Sequence, residues 1–315
     1  MEIIFTSDFL INLFSAGVRL AAPLLMAALG EIIAERSGLL NIGIEGIILL
    51  GALFAVFGAD FSGNAWVGAL SAVITGAILG LIFAFITVTL GGDQVVTGTA
   101  INILALGLST YLFRLAYGLE GSSHEVEFFR PLAIPVLAEI PFIGPIFFRQ
   151  SLLVYLAFIL VPITAYFLFR TMWGLSLRAV GDHPRAADTM GINVTRTRYL
   201  AVTAGGMLAG LAGSILTLSH LNIFVENISA GRGFIALAAV VFGQWSPVGA
   251  MFSALLFGVA DAFQLRLQTI SKILPYQLLA TIPYILTVLA LVGVVGRAYP
   301  PKSLGTPYLR EGRGS

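Results

Sequence analysis

The chain has no cysteine, only three histidines and only 10% charged residues over 315 positions. Without cysteine there is no disulfide framework, thiol nucleophile or thiolate-bound metal. His124, His183 and His220 are scattered in sequence, which makes a histidine metal centre a poor fit. No stretch has the form GxxxxGK[ST], the loop whose backbone amides cradle phosphates, so ATP binding of that kind is excluded from this polypeptide. A formal net charge of +1 is too balanced for a nucleic-acid surface.

Apolar surface is what the chain has in abundance. Hydrophobic residues make up 58% and the mean hydropathy is +0.96, more than a soluble domain could hide from water. A membrane helix needs about twenty apolar residues. Such runs fall at about 9–30, 42–59, 65–90, 98–118, 151–170, 198–219, 234–244, 247–263 and 275–295. The fold class predicted is all-α: a polytopic membrane helical bundle of about nine spans, with eight to ten allowed. The first run, from Phe9, is followed by further spans rather than by a processing site, and is expected to stay in the mature protein. The run 234–244 is short for a full crossing and reads as a tilted or re-entrant helix.

Arginine placement orients the bundle. Arg170, Arg178, Arg185, Arg196 and Arg198 crowd one connection, and Arg297, Lys302, Arg310 and Arg313 follow the last run, so both segments are expected in the cytoplasm. The connection 119–150 carries Glu120, Glu125, Glu127 and Glu139 with four prolines, and reads as an extracytoplasmic loop. Alternation then places Arg36 inside and Asp60 outside. A single transmembrane domain over 1–315 results, with a cytoplasmic tail at about 297–315.

Small residues predict close packing. Among 35 glycines, Gly205-Gly-Met-Leu-Ala-Gly-Leu-Ala-Gly213 repeats small side chains every fourth position, and Ala72, Gly76 and Gly80 do the same. Polar residues within the spans are the candidates for a translocation path, since each is costly in lipid unless it faces protein, water or cargo. They are Asn41, Glu45, Gln94, Asn102, Gln244, Asp261 and Gln264, with Gln268 on the same helix face as the last two. A nucleoside or sugar would find amide and hydroxyl partners here; interhelical hydrogen bonding is the competing reading for each. Glu45 reads equally as a path residue or as a buried carboxylate locked to an arginine such as Arg19.

The segment 173–193 is a polar island between apolar runs. The chain is expected to turn at Gly174, with Asp182 as helix cap, Pro184 in the first turn, Arg185 to Met190 as a short helix and Gly191 as its stop. Compact, capped and flanked by arginines, it reads as a docking knob.

Leu177-Arg-Ala-Val-Gly-Asp-His-Pro-Arg-Ala-Ala-Asp-Thr-Met-Gly-Ile192 closely resembles the cytoplasmic coupling segment of permease subunits of bacterial ABC importers for branched-chain amino acids, simple sugars and nucleosides. Glu35-Arg-Ser-Gly-Leu-Leu-Asn-Ile-Gly-Ile-Glu-Gly46, Gln94-Val-Val-Thr-Gly-Thr-Ala-Ile-Asn-Ile-Leu-Ala-Leu-Gly107 and Gly231-Arg-Gly-Phe-Ile-Ala-Leu-Ala-Ala-Val-Val-Phe-Gly243 resemble other recurrent blocks of that family. Ser303-Leu-Gly-Thr-Pro-Tyr-Leu-Arg-Glu311 resembles the ending of the shorter permease of nucleoside importers. His183 departs from the family, which often has a polar or acidic residue there.

The resemblance implies a type II importer-like permease in the bacterial cytoplasmic (inner) membrane, moving nucleosides. Its partners would be an ABC ATPase subunit, a second permease in a heterodimer and an extracytoplasmic substrate-binding protein. The permease would be no enzyme and hold no cofactor, ATP being bound by the ATPase. Arg178, Gly181, Asp182, Pro184, Arg185, Asp188 and Gly191 would form the ATPase-coupling segment. A simple-sugar permease is the alternative within the family; a stand-alone secondary transporter or channel is the alternative outside it.

Overall fold

A computed structural model describes residues 7–118, 125–270, 281, 285 and 299–308. Seven of its helices are long and apolar enough to span a membrane: α1 (Ser7–Glu35), α2 (Ile44–Ser62), α3 (Ala65–Ala84, extended by a π turn Phe85–Thr89), α4 (Gln94–Tyr117), α6 (Leu152–Arg170), α9 (Val194–Ile215, extended by a π turn Leu216–Leu221) and α11 (Pro247–Ile270). They match seven of the nine apolar runs. The eighth is the 11-residue α10 (Arg232–Phe242), and the ninth, 275–295, lies outside the described residues apart from 281 and 285. The chain is a multi-pass membrane protein whose spanning segments, among the described residues, are all helical.

Local chemistry sets the ends of the helices. Asn64 accepts from Trp66 N, Asp93 from Val95 N and Val96 N, and Asn193 from Arg196 N, each satisfying amides that a helix start leaves unpaired. Outside the spans, β1 (Pro131–Ala133) pairs antiparallel with β2 (Arg149–Ser151) around the short α5 (Ile143–Phe147), a hairpin within the segment expected to be a plain loop. Gln150 ties this hairpin to the outer part of α1, its Nε2 donating to Ser15 O at 3.3 Å.

The two ends of the bundle are built from different residues. At one, Tyr117 donates to Asp60 and Arg114 pairs with Glu226, a bond that holds the Glu226 carboxyl below its usual range. At the other, Arg36, Trp245, the 171–193 knob and residues 301–308 meet.

The centre is packed backbone on backbone. α9 lies between α1, α2 and α3, with Gly205 against Gly30, Gly206 against Gly76 and Gly210 against both Gly51 and Ala72. The fourfold spacing of small residues expected from the sequence therefore has a direct role: a Cβ on Gly30 would stand 2.6 Å from Gly205 O. Membrane helices gain little from burying apolar groups against each other rather than against lipid, so such close approach carries their association.

Candidate functional site

α1 ends at Glu35, but the chain does not simply leave the membrane there. Residues 39–43 fold back to the depth of the preceding helical turn, where Asn41 N donates to Glu31 Oε1 at 2.9 Å and Leu40 N to Gln94 Oε1 at 2.7 Å. α2 therefore starts alongside the last turns of α1, a spanning helix, rather than beyond its end. Irregular backbone at that depth is tolerated only when its polar groups are satisfied by protein. Asn102 does this from α4, accepting from Gly46 N at 2.8 Å and donating to Ile42 O at 2.9 Å.

α10 is the second broken element. At 11 residues it is about 16 Å long, half a bilayer. Gly231, in a left-handed conformation at φ +83°, opens it, and Glu45 accepts from Gly231 N at 2.7 Å and Gly233 N at 2.6 Å. A carboxylate from the first turn of α2 thus caps α10, where the helix dipole and unpaired amides favour negative charge. Among the described residues no arginine holds Glu45, and Arg19, the expected partner, is not bonded to it. Next to the cap, Arg232 pairs loosely with Asp261 of α11 at 3.8 Å.

The structure gathers most of the polar span residues around these two helix starts. Asn41, Glu45, Gln94 and Asn102 surround the 39–46 turn, Asp261 joins through Arg232, and Gln264 is buried about one turn beyond Asp261. Gln244 stands apart, exposed at the α10–α11 turn with φ +54°. Replacing Asn102 with alanine is expected to strip two backbone groups of the turn, at a cost of about 1–3 kcal/mol. A lowered melting temperature of the solubilised protein is the readout.

The sequence reading missed several residues here. Glu31 and Glu35, one turn apart on α1, are 1% and 2% exposed. Glu35 accepts from the Trp245 indole, and Arg36 donates to Trp245 O through Nε at 3.1 Å and Nη2 at 3.0 Å. These contacts clamp the C-terminal end of α1 to the α10–α11 turn. Carboxylates four apart at the edge of an apolar run were the available signal.

The polar island is two helices. Thr171 caps α7 (Met172–Asp182) by accepting from Gly174 N at 3.1 Å, so the chain turns three residues before Gly174, which lies within the helix. α8 (Pro184–Thr189) takes His183 as its cap residue, whereas Asp182 ends α7. The cap expected at Asp182 is displaced by one because Pro184 occupies the first helical position. Gly191 closes the segment at φ +85°, as its spacing predicts.

Val180, Ala187 and Val194 make a small core that binds α7, α8 and the start of α9 into one knob. Arg178 stacks over Phe169 at 5.2 Å, and Arg36 reaches the same ring at 5.8 Å. Burial pulls the Arg36 guanidinium below its ordinary pKa, with Asp182 opposing and Arg178 adding to the fall. A side chain on Gly181 would collide with Arg36 O. Arg178, Gly181 and Asp182 therefore face the end of α1. Arg185, Ala186 and Met190 are exposed on the outer side of the knob, and Asp188 accepts from Tyr308 at 3.0 Å.

Residues 13–292 match the family described as branched-chain amino acid transport system / permease component. The chain belongs to this permease family. Among its relatives, the guanosine ABC transporter permease NupQ of Bacillus subtilis is 42% identical over 93% of this chain and 95% of its own. The putative glucose ABC transporter permease TsgC13 of Haloferax volcanii is 36% identical over 96% and 99%, and the nucleoside ABC transporter permease NupC of Lactococcus lactis is 36% identical over 92% and 94%. A second Bacillus subtilis guanosine permease, NupP, is 27% identical over 76% of this chain and 70% of its own. The family is a transport component, and the chain is a permease rather than an enzyme.

Proposed function

We propose that the chain, as one permease domain over 1–315, is half of the transmembrane pathway of an ATP-driven nucleoside importer. The observation that carries the substrate is the 42% identity to a guanosine permease across nearly the whole length of both proteins, supported by the 36% identity to NupC. Similarity to both NupQ and NupP, two guanosine permeases of one organism, supports a heterodimer with a second permease. ATP is bound by a separate ATPase subunit, and an extracytoplasmic binding protein delivers cargo; no cofactor is assigned to this chain.

The knob is the ATPase contact. Arg185 and Met190 stand on its outer face, while Arg178, Gly181, Asp182, Pro184, Asp188 and Gly191 hold its shape. Because Gly181 and Arg178 pack on the end of α1, a push on α8 reaches the Arg36–Trp245 clamp and, through it, α10 and α11. Two-state rearrangement of packed helices is the usual form of such a transition. Asn41, Glu45, Gln94, Asn102, Asp261 and Gln264 line or support the path, at the meeting of two helix starts that lie at membrane depth; Gln244 sits at its cytoplasmic end.

The glucose relative favours a second reading, a sugar permease, since TsgC13 covers the chain equally well. An autonomous carrier has less support. Its coupling-ion site would need membrane carboxylates free of protein partners, and among the described residues Glu45 is engaged by two backbone amides, Asp261 by Arg232, Glu31 by Asn41 N and Glu35 by the Trp245 indole.

The assembled importer in proteoliposomes tests the coupling assignment. Arg185→Glu is expected to leave assembly intact and to cut nucleoside transported per ATP hydrolysed about tenfold, the scale of a lost charge-assisted contact. An unchanged ratio removes α8 from the ATPase interface.

A further inference from the structure

Residues 301–308 follow the last apolar run and lie along the knob, making an unusually dense set of specific bonds for a tail. Ser303 donates to Gly181 O twice, through N at 2.9 Å and Oγ at 2.6 Å. Lys302 Nζ lies 3.3 Å from His183 Nε2 at the start of α8, and Tyr308 donates to Asp188 near its end. Tyr308 also packs on the Val180–Ala187–Val194 core. The strap therefore grips α8 at both ends.

Its other edge holds the α1–α2 turn. Gly305 N donates to Gly38 O at 3.2 Å. Arg198, in the first turns of α9, is 1% exposed and reaches three acceptors: Ser37 O at 3.2 Å, Thr306 O at 3.4 Å and Ser303 Oγ at 3.4 Å. A guanidinium buried this completely is costly unless its donors are used, and here they join three separate pieces of chain. Those pieces are the turn that leads into the broken start of α2, the strap and α9.

We infer that residues 301–308 are part of the coupling machinery: a strap, locked by Arg198, that makes the α8 knob and the 37–46 turn move as one body. The inference rests on α8 being the ATPase contact. Under it, displacement of α8 is delivered to the turn that carries Asn41 and Glu45 by a second route, parallel to the α7–Arg36 packing. Tyr308, Ser303 and Arg198 are positioning residues, since none needs to touch cargo or ATPase.

The test uses the complete importer in proteoliposomes and reads nucleoside moved per ATP hydrolysed. Tyr308→Phe removes one hydrogen bond to α8 with little change in packing, and is expected to lower that ratio about fivefold while ATP hydrolysis persists. Ser303→Ala is expected to act in the same direction, and is the second variant should Tyr308→Phe fail to accumulate. The absence of native cysteine in this chain allows a decisive control. In a Tyr308→Cys, Asp188→Cys pair the ratio should fall, then recover when a short bis-maleimide bridges the two, because the bridge restores a strap that moves with α8. Wild-type ratios in Tyr308→Phe and Ser303→Ala, or a bridge that arrests transport, would overturn the strap. Failure of the strap with Arg185→Glu still uncoupling leaves the ATPase assignment standing; normal coupling in Arg185→Glu removes that assignment as well.

Discussion

Glu45→Gln is expected to reduce uptake at least about tenfold while the protein still reaches the membrane. The carboxylate receives the Gly231 and Gly233 amides at the start of α10, two charge-assisted bonds from a side chain that is itself buried. The two amides bond different carboxylate oxygens, and in an amide side chain one of those oxygens is replaced by an NH2 donor that would face an N–H. That mismatch costs about 1–3 kcal/mol, small enough for assembly to survive in a protein of ordinary stability but enough to displace α10 from α2. Gly233→Ala is expected to give the same phenotype by another route, because its Cβ would stand 2.6 Å from the Glu45 Cα. Uptake and membrane abundance measured together check both. Wild-type uptake in Glu45→Gln would mean that the cap on α10 has no part in transport, and loss of the protein from the membrane would make Glu45 a purely structural residue.

The largest effect on assembly is expected at the α2–α9 contact. A Cβ on Gly51 would stand 2.6 Å from Gly210 O and 2.7 Å from Gly210 Cα, and both atoms are backbone, so no rotamer change can relieve the clash. Gly51→Val must separate the two helices, disturbing α1 and α3, which pack on the same α9 segment. Overpacking of a core commonly costs 1–3 kcal/mol where side chains can yield, so about that or more is expected where only backbone can move. Little or no full-length protein should accumulate in the membrane, whereas Ala52→Gly, next to it on α2, should be tolerated. Normal accumulation of Gly51→Val would show that α2 and α9 are not in backbone contact.

What could be read from the sequence follows the range of the interactions. The apolar runs that fall on described residues, the Gly205–Gly213 spacing and the short helix expected at Arg185–Met190 are local patterns, and the structure has them in place, the last as Pro184–Thr189. The cap of α8 is His183 rather than Asp182, although Asp is the commoner cap, because Pro184 takes the first helical position. Glu45 is marked by its setting between Gly43 and Gly46, but its partners are backbone amides about 190 residues away, which carry no side-chain signature. For the same reason the Glu35–Trp245 and Arg36–Trp245 clamp was not anticipated, nor the Arg198 hub. Arg198 was legible only as one of several cytoplasmic charges; that it is the buried one depends on where the 37–38 turn and residues 303–306 come to rest.

Substrate identity is the central claim, and uptake in cells tests it most directly. Labelled purine and pyrimidine nucleosides would be supplied to cells with and without this chain, with ribose, galactose and glucose as unlabelled competitors. Nucleoside uptake that disappears with the chain, and that the sugars do not compete for, is the predicted result. Undiminished nucleoside uptake in cells lacking the chain, with sugar uptake lost, would contradict the nucleoside reading and leave a sugar permease in its place.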